Sequence, residues 1–132
     1  MSRPRPEPGV VVTHRRYVPH SAAHYGGSLV DGAYTMALFG DVATEMCLRT
    51  DGDEGLLASY SEIAFHAPVI AGDVVEVTAT LVRVGNRSRT LQLSSHICCR
   101  ATPAVSPSAG AVLDPPVLAV SARCEVVVPA AG

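Results

Sequence analysis

The chain has 132 residues, enough for one domain with one core and too few for two. Ten basic residues against twelve acidic give a net charge of -2, which excludes the basic footprint of a nucleic-acid binder or a polybasic membrane anchor. No apolar run escapes acidic interruption for long enough to span a bilayer, so the expectation is a soluble, cytoplasmic protein with a small-molecule or protein partner.

Residues 1–9, "MSRPRPEPG", are rich in proline and charge and lack an apolar h-region, so they read as a disordered lead rather than a secretory signal. Residues 10–132 are then a single domain. "VVVTHRRYV" at residues 10–18 is dominated by β-branched side chains and closed by Pro19, which predicts a first strand. From Ser28 to about Arg49 good helix formers predominate. Ser28 is placed as the N-cap, with Asp31 three residues on in a near capping box.

That helix is apolar on nearly every side. Leu29, Ala33, Met36, Ala37, Gly40, Ala43, Thr44 and Cys47 form a stripe of mostly small residues expected to lie close against a sheet. Tyr34, Leu38, Asp41, Glu45 and Leu48 form a second stripe. "TDGDEG" then turns the chain, and strands are predicted at 56–66, 74–84, 88–100 and 117–128. Gly85 and Asn86 mark a tight hairpin, and "ATPAVSPSAGAVLDPP" reads as an irregular loop. The resulting order predicts a five-stranded antiparallel sheet wrapped around one long central helix, an α+β fold. An exposed sheet edge and an open apolar face favour dimerisation.

The four cysteines, Cys47, Cys98, Cys99 and Cys124, show no C-x-x-C spacing and are expected to be small buried hydrophobes. Cys98 and Cys99 should point to opposite faces of a strand. A Cys98–Cys124 disulfide is conceivable but disfavoured by the reducing compartment inferred above.

Two carboxylates inside an apolar helix are the main chemical signal. Asp41 and Glu45 stand one turn apart on one side. Either they are solvated, Glu45 pairing with Arg49 four residues on, or they are interior. An interior carboxylate without a partner has a raised pKa and suits a general base; Asp41, with no basic neighbour in sequence, fits that reading better. "HYGG" at 24–27 leads into the helix, where backbone N–H groups of Gly26 and Gly27 could polarise a carbonyl oxygen; the alternative is an ordinary loop with an exposed His24. His20 and His24 have a zinc-like spacing, but no H-E-x-x-H or C-x-x-C accompanies them and no metal is expected. Asn86, Arg87 and Arg89 flank the hairpin, either as solvated turn residues or as phosphate ligands. G-x-x-x-x-G-K-[ST], G-x-G-x-x-G and G-x-S-x-G are all absent.

"AHYGGSLVDGA", "LFGDVATE", "DGDEGL", "IAFHAPVIAGDVVEV", "VGNRSR" and "PPVL" follow one another in an order that resembles the β-aminoacyl-CoA ammonia-lyases of the hotdog-fold superfamily. The resemblance covers roughly residues 10–128 and is most specific between 23 and 89. It implies a hotdog fold, a homodimer or trimer of dimers with sites at the dimer interface, and an acyl-CoA thioester substrate that reversibly loses ammonia from its β-carbon. No added cofactor is implied, coenzyme A being part of the substrate. Carried onto this chain, it makes Asp41 the general base or acid and Glu45 the group that holds the ammonium or handles a second proton. His24 and Tyr25 complete the catalytic set, the backbone from Tyr25 to Gly27 serves the oxyanion, and Asn86, Arg87 and Arg89 hold CoA phosphates. Asp114, just before Pro115, is a further acidic candidate. The loop at 101–113 is expected to shape the acyl pocket. The rival readings are a hotdog acyl-CoA thioesterase, in which a carboxylate attacks the thioester or activates water, and a noncatalytic acyl-CoA or acyl-carrier-protein binding module.

Overall fold

The computed structural model describes residues 4–130. Strand β1 (Val11–Tyr17) leads through two short 3-10 turns, His20–Ala22 and Gly26–Ser28, into helix α1 (Gly32–Asp51). Strands β2 (Leu56–Phe65), β3 (Val74–Val84), β4 (Ser88–Ala101) and β5 (Gly110–Val127) follow. All pairings are antiparallel, in the order β1-β3-β4-β5-β2, so β1 and β2 are the two edges. This is one long helix against a five-stranded antiparallel sheet, the expected hotdog arrangement.

Period-two patterning decides which way the sheet faces. Val75, Val77, Ala79 and Leu81 of β3 and Leu91, Leu93 and Ile97 of β4 point inward and are buried, joining Phe39, Val42 and Met46 of α1 in one core. Glu76, Thr78 and Thr80 alternate outward. The hairpin expected at Gly85 and Asn86 is present, closed by the Gly85 N–H donating to the Ser88 carbonyl at 2.8 Å.

The helix begins later than the sequence suggests. Ser28 sits at φ 62, outside the helical region, and the N-cap is Asp31, whose side chain accepts from the Tyr34 N–H at 3.1 Å. Its other end stops at Gly52, in the left-handed region at φ 67, where the N–H bonds back to the Leu48 carbonyl. Nor is the helix enclosed all round. Its buried side is Thr35, Phe39, Val42, Ala43, Met46 and Cys47, whereas Ala33, Ala37, Asp41, Thr44 and Leu48 are exposed along an outward stripe. Much of the small-residue stripe expected against the sheet therefore faces away from it. The sheet selects the bulky Phe39, Val42 and Met46, which fill its concave side better than alanines do.

Two other expectations shift. The residues from 110 on are strand rather than loop: Ala101, Arg100 and Cys99 pair with Gly110, Ala111 and Val112, leaving only a short turn between β4 and β5. A register irregularity between Ile97 and Cys99 breaks the simple alternation of the adjacent cysteines; Cys98 is buried with its thiol 3.7 Å from the Glu76 carboxylate, and Cys99 is half-buried. All four cysteines are free. Burial pushes the Cys47 thiol up to about 11 and the Cys124 thiol up to about 12, as expected of core cysteines.

Of the lead at residues 1–9, the first three lie outside the described residues. In the remainder, Arg5 donates to the Val84 carbonyl and the Gly9 N–H to the Leu81 carbonyl, so this segment runs beside the last residues of β3, continuing the line of β1. Among the described residues no helix is long and apolar enough to cross a membrane.

Candidate active site

The loop from His24 to Val30 is tied down by backbone bonds. The N–H groups of His24 and Tyr25 both donate to the Leu29 carbonyl, at 2.8 and 2.9 Å, and Val30 bonds to Val69 and Ala71 to Ser28. Tyr25 has thus committed the amide proposed for the oxyanion site. At Gly26 and Gly27 there is room for a ligand: Gly27 holds φ 71, a conformation glycine adopts without strain, and nothing lies within 4 Å of where a side chain would begin on either residue. They stand just ahead of the N-terminus of α1, whose dipole favours developing negative charge.

A cleft of about 320 Å³ opens beside this loop. Tyr25, Leu29, Asp31, Phe65, His66 and Val120 are among its walls. Asp31 turns one oxygen to the helix and keeps the other 3.7 Å from His24 Nδ1, a loose contact between half-exposed groups. The His24 and Tyr25 rings meet edge to face at 4.6 Å. His66 Nε2 lies 2.8 Å from the Ser121 hydroxyl. Phe65 and His66 were not singled out from sequence; their signal was weak, a strand end ahead of Pro68 with a histidine after a run of apolar residues.

The helix carboxylates differ from one another. Glu45 is held by Arg49 Nε and by His14 Nε2, each at 2.8 Å. Arg16 lies 3.4 Å from His14 Nδ1; since arginine only donates, this contact leaves Nε2 as the nitrogen that donates to Glu45. The hydrogen bonds from Arg49 and then His14 hold the Glu45 carboxyl below its usual range. Glu45 is thus a fixed anion, in line with the Arg49 pairing read from sequence.

Asp41 is exposed, not interior, so the burial argued for it from sequence does not hold within one chain. It lies on the outward stripe beside Tyr60, whose hydroxyl donates to the Met36 carbonyl at 2.9 Å. Burial raises the Tyr60 phenol, with the charges of Cys124 and Asp41 adding to the effect.

Arg89, expected from sequence as a phosphate ligand, is spent inside the chain. It is buried and grips Asp51 through Nε and Nη2 at 3.1 and 2.8 Å, while Nη1 donates to the carbonyls of Gly85 and Ser88. A guanidinium with its donors so committed welds the hairpin to the end of α1. Arg87 and Asn86 are exposed on the same hairpin, Arg87 leaning on the Val128 carbonyl at 3.2 Å. Asp114 is exposed on β5 and does not line the cleft, nor does His20, which contacts the Tyr17 hydroxyl at 3.2 Å and lines a separate cleft. Among the described residues no three His, Cys, Asp or Glu side chains gather as a metal site would require.

At 1.5 Å per residue, Asp41 lies about 15 Å along the helix from Asp31, and the hairpin arginines lie at the far end. One chain therefore presents the parts of the site separately: a cleft with the Gly26–Gly27 turn next to it in the chain at one end, two carboxylates mid-helix, and exposed Arg87 at the other end.

Comparison with known proteins places the chain in a family. Residues 27–94 match the family model of the thioesterase superfamily. A 3-aminobutyryl-CoA ammonia lyase of Acetoanaerobium sticklandii is 44% identical over 107 residues, 81% of this chain and 85% of that protein. The chain belongs to the β-aminoacyl-CoA ammonia-lyase family of the thioesterase superfamily. Consistently with that family, the structure superposes on β-alanyl-CoA:ammonia lyase from Clostridium propionicum with a TM-score of 0.86 and 32% identity, covering 92% of this chain and 87% of the other. A hexameric hotdog-fold thioesterase of Campylobacter jejuni shares the fold alone, with a TM-score of 0.71 and 16% identity over 96% of this chain and 86% of that one.

Proposed function

We propose that this chain is a 3-aminobutyryl-CoA ammonia-lyase, a carbon–nitrogen lyase that reversibly eliminates ammonia from a β-aminoacyl-CoA to give an enoyl-CoA such as crotonyl-CoA. The observation that carries this reading is the 44% identity to a 3-aminobutyryl-CoA ammonia lyase across most of both chains. The geometry supports it. A thioester acidifies its α-C–H; a base removes that proton, the electrons form the double bond, and the β-C–N bond breaks with its pair passing to nitrogen. The nitrogen, already carrying three hydrogens, departs as neutral ammonia, and the proton returns to solvent from the base.

Asp41, free of any arginine or lysine salt bridge among the described residues, takes the part of the base. Glu45, fixed as an anion by His14 and Arg49, suits the ammonium. Gly26 and Gly27 offer amides to the thioester oxygen in its enolate form. Arg87, with Asn86 beside it, is the phosphate contact in place of Arg89. No cofactor enters this scheme.

Because these parts lie apart in one chain, the site needs a second copy. Edge strand β2 carries exposed Leu56, Ile63 and Phe65, and antiparallel pairing of two such edges across a two-fold axis would set two α1 helices in opposite directions. The carboxylates and hairpin of one copy then approach the cleft of the other. A homodimer, or a trimer of dimers built from it, is the working assembly.

Incubation with crotonyl-CoA or acryloyl-CoA in ammonium buffer, followed by mass spectrometry, tests the reading. A mass gain of one ammonia on the intact thioester is expected. Free CoA would establish a thioesterase instead, and binding without turnover a noncatalytic module.

A further inference from the structure

Gly32, the first residue of α1, has no side chain where one would meet an aromatic ring. A Cβ built there would lie 2.7 Å from Cζ of Phe65 and 3.1 Å from its Cε1. The ring at the end of β2 is therefore seated directly over the first turn of the helix, and it does so only because residue 32 is glycine. Phe65 is 60% exposed in the single chain, at the end of the β2 edge proposed above for pairing, so core packing does not account for the ring's seat on the helix. It does, however, line the cleft together with Leu29, Val69 and Val120, while the polar Asp31 and His66 line other parts of it.

We propose that Phe65 determines acyl-chain length: its ring, braced on Gly32, forms the wall that stops the acyl tail when the thioester carbonyl sits at the Gly26–Gly27 amides. This deepens the function proposed above and rests on it for the placement of the thioester. The site accepts short acyl groups of the C3–C4 class and rejects longer ones by collision with the ring. No charge is involved, so the discrimination is one of shape and apolar contact. A single methylene in such a pocket changes selectivity by roughly 10- to 200-fold.

The test separates chain-length selection from catalysis. Binding of the unreactive propionyl-, butyryl-, hexanoyl- and octanoyl-CoA is measured by calorimetry on wild type and on Phe65→Ala, Phe65→Leu and Gly32→Ala. Ammonia addition to acryloyl-, crotonyl- and 2-hexenoyl-CoA is measured on the same preparations, each of wild-type oligomeric mass. Phe65→Ala is expected to raise the ratio of hexanoyl- to butyryl-CoA affinity by at least about tenfold, Phe65→Leu by less. Gly32→Ala, which pushes the ring off the helix and into the cleft, is expected to lower it. Should Phe65→Ala fail to assemble, the opposite shifts of Phe65→Leu and Gly32→Ala carry the test. Length profiles that stay unchanged, or affinity lost equally for every chain length, would overturn the proposal. Wild type that selects short acyl-CoAs yet adds no ammonia would instead overturn the lyase reading while leaving the role of Phe65 supported.

Discussion

The two ends of helix α1 use charged residues in opposite ways. At the C-terminal end Asp51 and Arg89 are bidentate and nearly sealed, with side chains 11% and 6% exposed, and Arg89 also takes up two hairpin carbonyls. At the N-terminal end Asp31 and His24 stand 3.7 Å apart, both accessible, beside an open cleft. One charge cluster is finished within the chain, and the other is left able to meet a ligand. Charge alone therefore says little about function; whether its partners are already supplied by the fold says much more.

The comparison breaks most visibly at the finished end. Removing Arg89, as in Arg89→Met, takes its cationic partner from the nearly sealed Asp51 and should cost about 3 kcal/mol in urea denaturation, enough to threaten the fold. The double variant Asp51→Leu/Arg89→Met should recover only part of this, because the Gly85 and Ser88 carbonyls still lose their donor. At the open end the loss is smaller. Asp31→Ala removes an N-cap worth about 1 kcal/mol and leaves the helix otherwise intact, measurable as a modest fall in the denaturation midpoint.

Mid-helix, stability and activity should part company. Asp41→Asn is expected to change stability by no more than about 0.5 kcal/mol, since the residue is exposed. The same change should lower ammonia addition by about 10²–10⁴-fold if Asp41 moves the proton. A large loss of stability with full activity would make Asp41 a residue of the fold and not of the reaction. The smallest effect belongs to Glu45. Its carboxyl is depressed in the folded protein, so its contribution is present at neutral pH and is lost as pH falls through the depressed value, below the ordinary 4.5. Stability against pH for Glu45→Gln should converge on wild type at the acid end and diverge from it above.

Much of the fold was legible because strand and helix periods are local. The alternation in "VVEVTATL" named the inward side of β3, and the single run of helix formers named α1. Misreadings arose where competing signals were local too: Ser28 looked like a cap, but the positive φ at Gly27 and Ser28 delays the helix to Asp31. The first residues of β5, from Gly110, were concealed at the end of a proline- and alanine-rich stretch because their conformation comes from pairing with Cys99, Arg100 and Ala101, not from their own propensity. For the site, the sequence offered Asp41, Glu45, Gly26, Gly27 and Arg87 as candidates, and the Glu45–Arg49 pair, present in the structure, follows from helical spacing alone. His14 was invisible, lying on a strand 31 positions from Glu45.

By itself the sequence determined the order of elements, the inward faces of the sheet, the position of two carboxylates on one helix and, through its motifs, the resemblance to the ammonia-lyases. These depend on covalent neighbours and short periods. Only the tertiary structure decided that Arg89 is consumed by Asp51, that Ala33, Ala37 and Thr44 of the small-residue stripe face outward with Asp41, and that Phe65 rests on Gly32 at the cleft. Each of those is a meeting of residues distant along the chain, and whether a charged or aromatic group serves the fold or a ligand is settled by which groups the packing brings within reach of it.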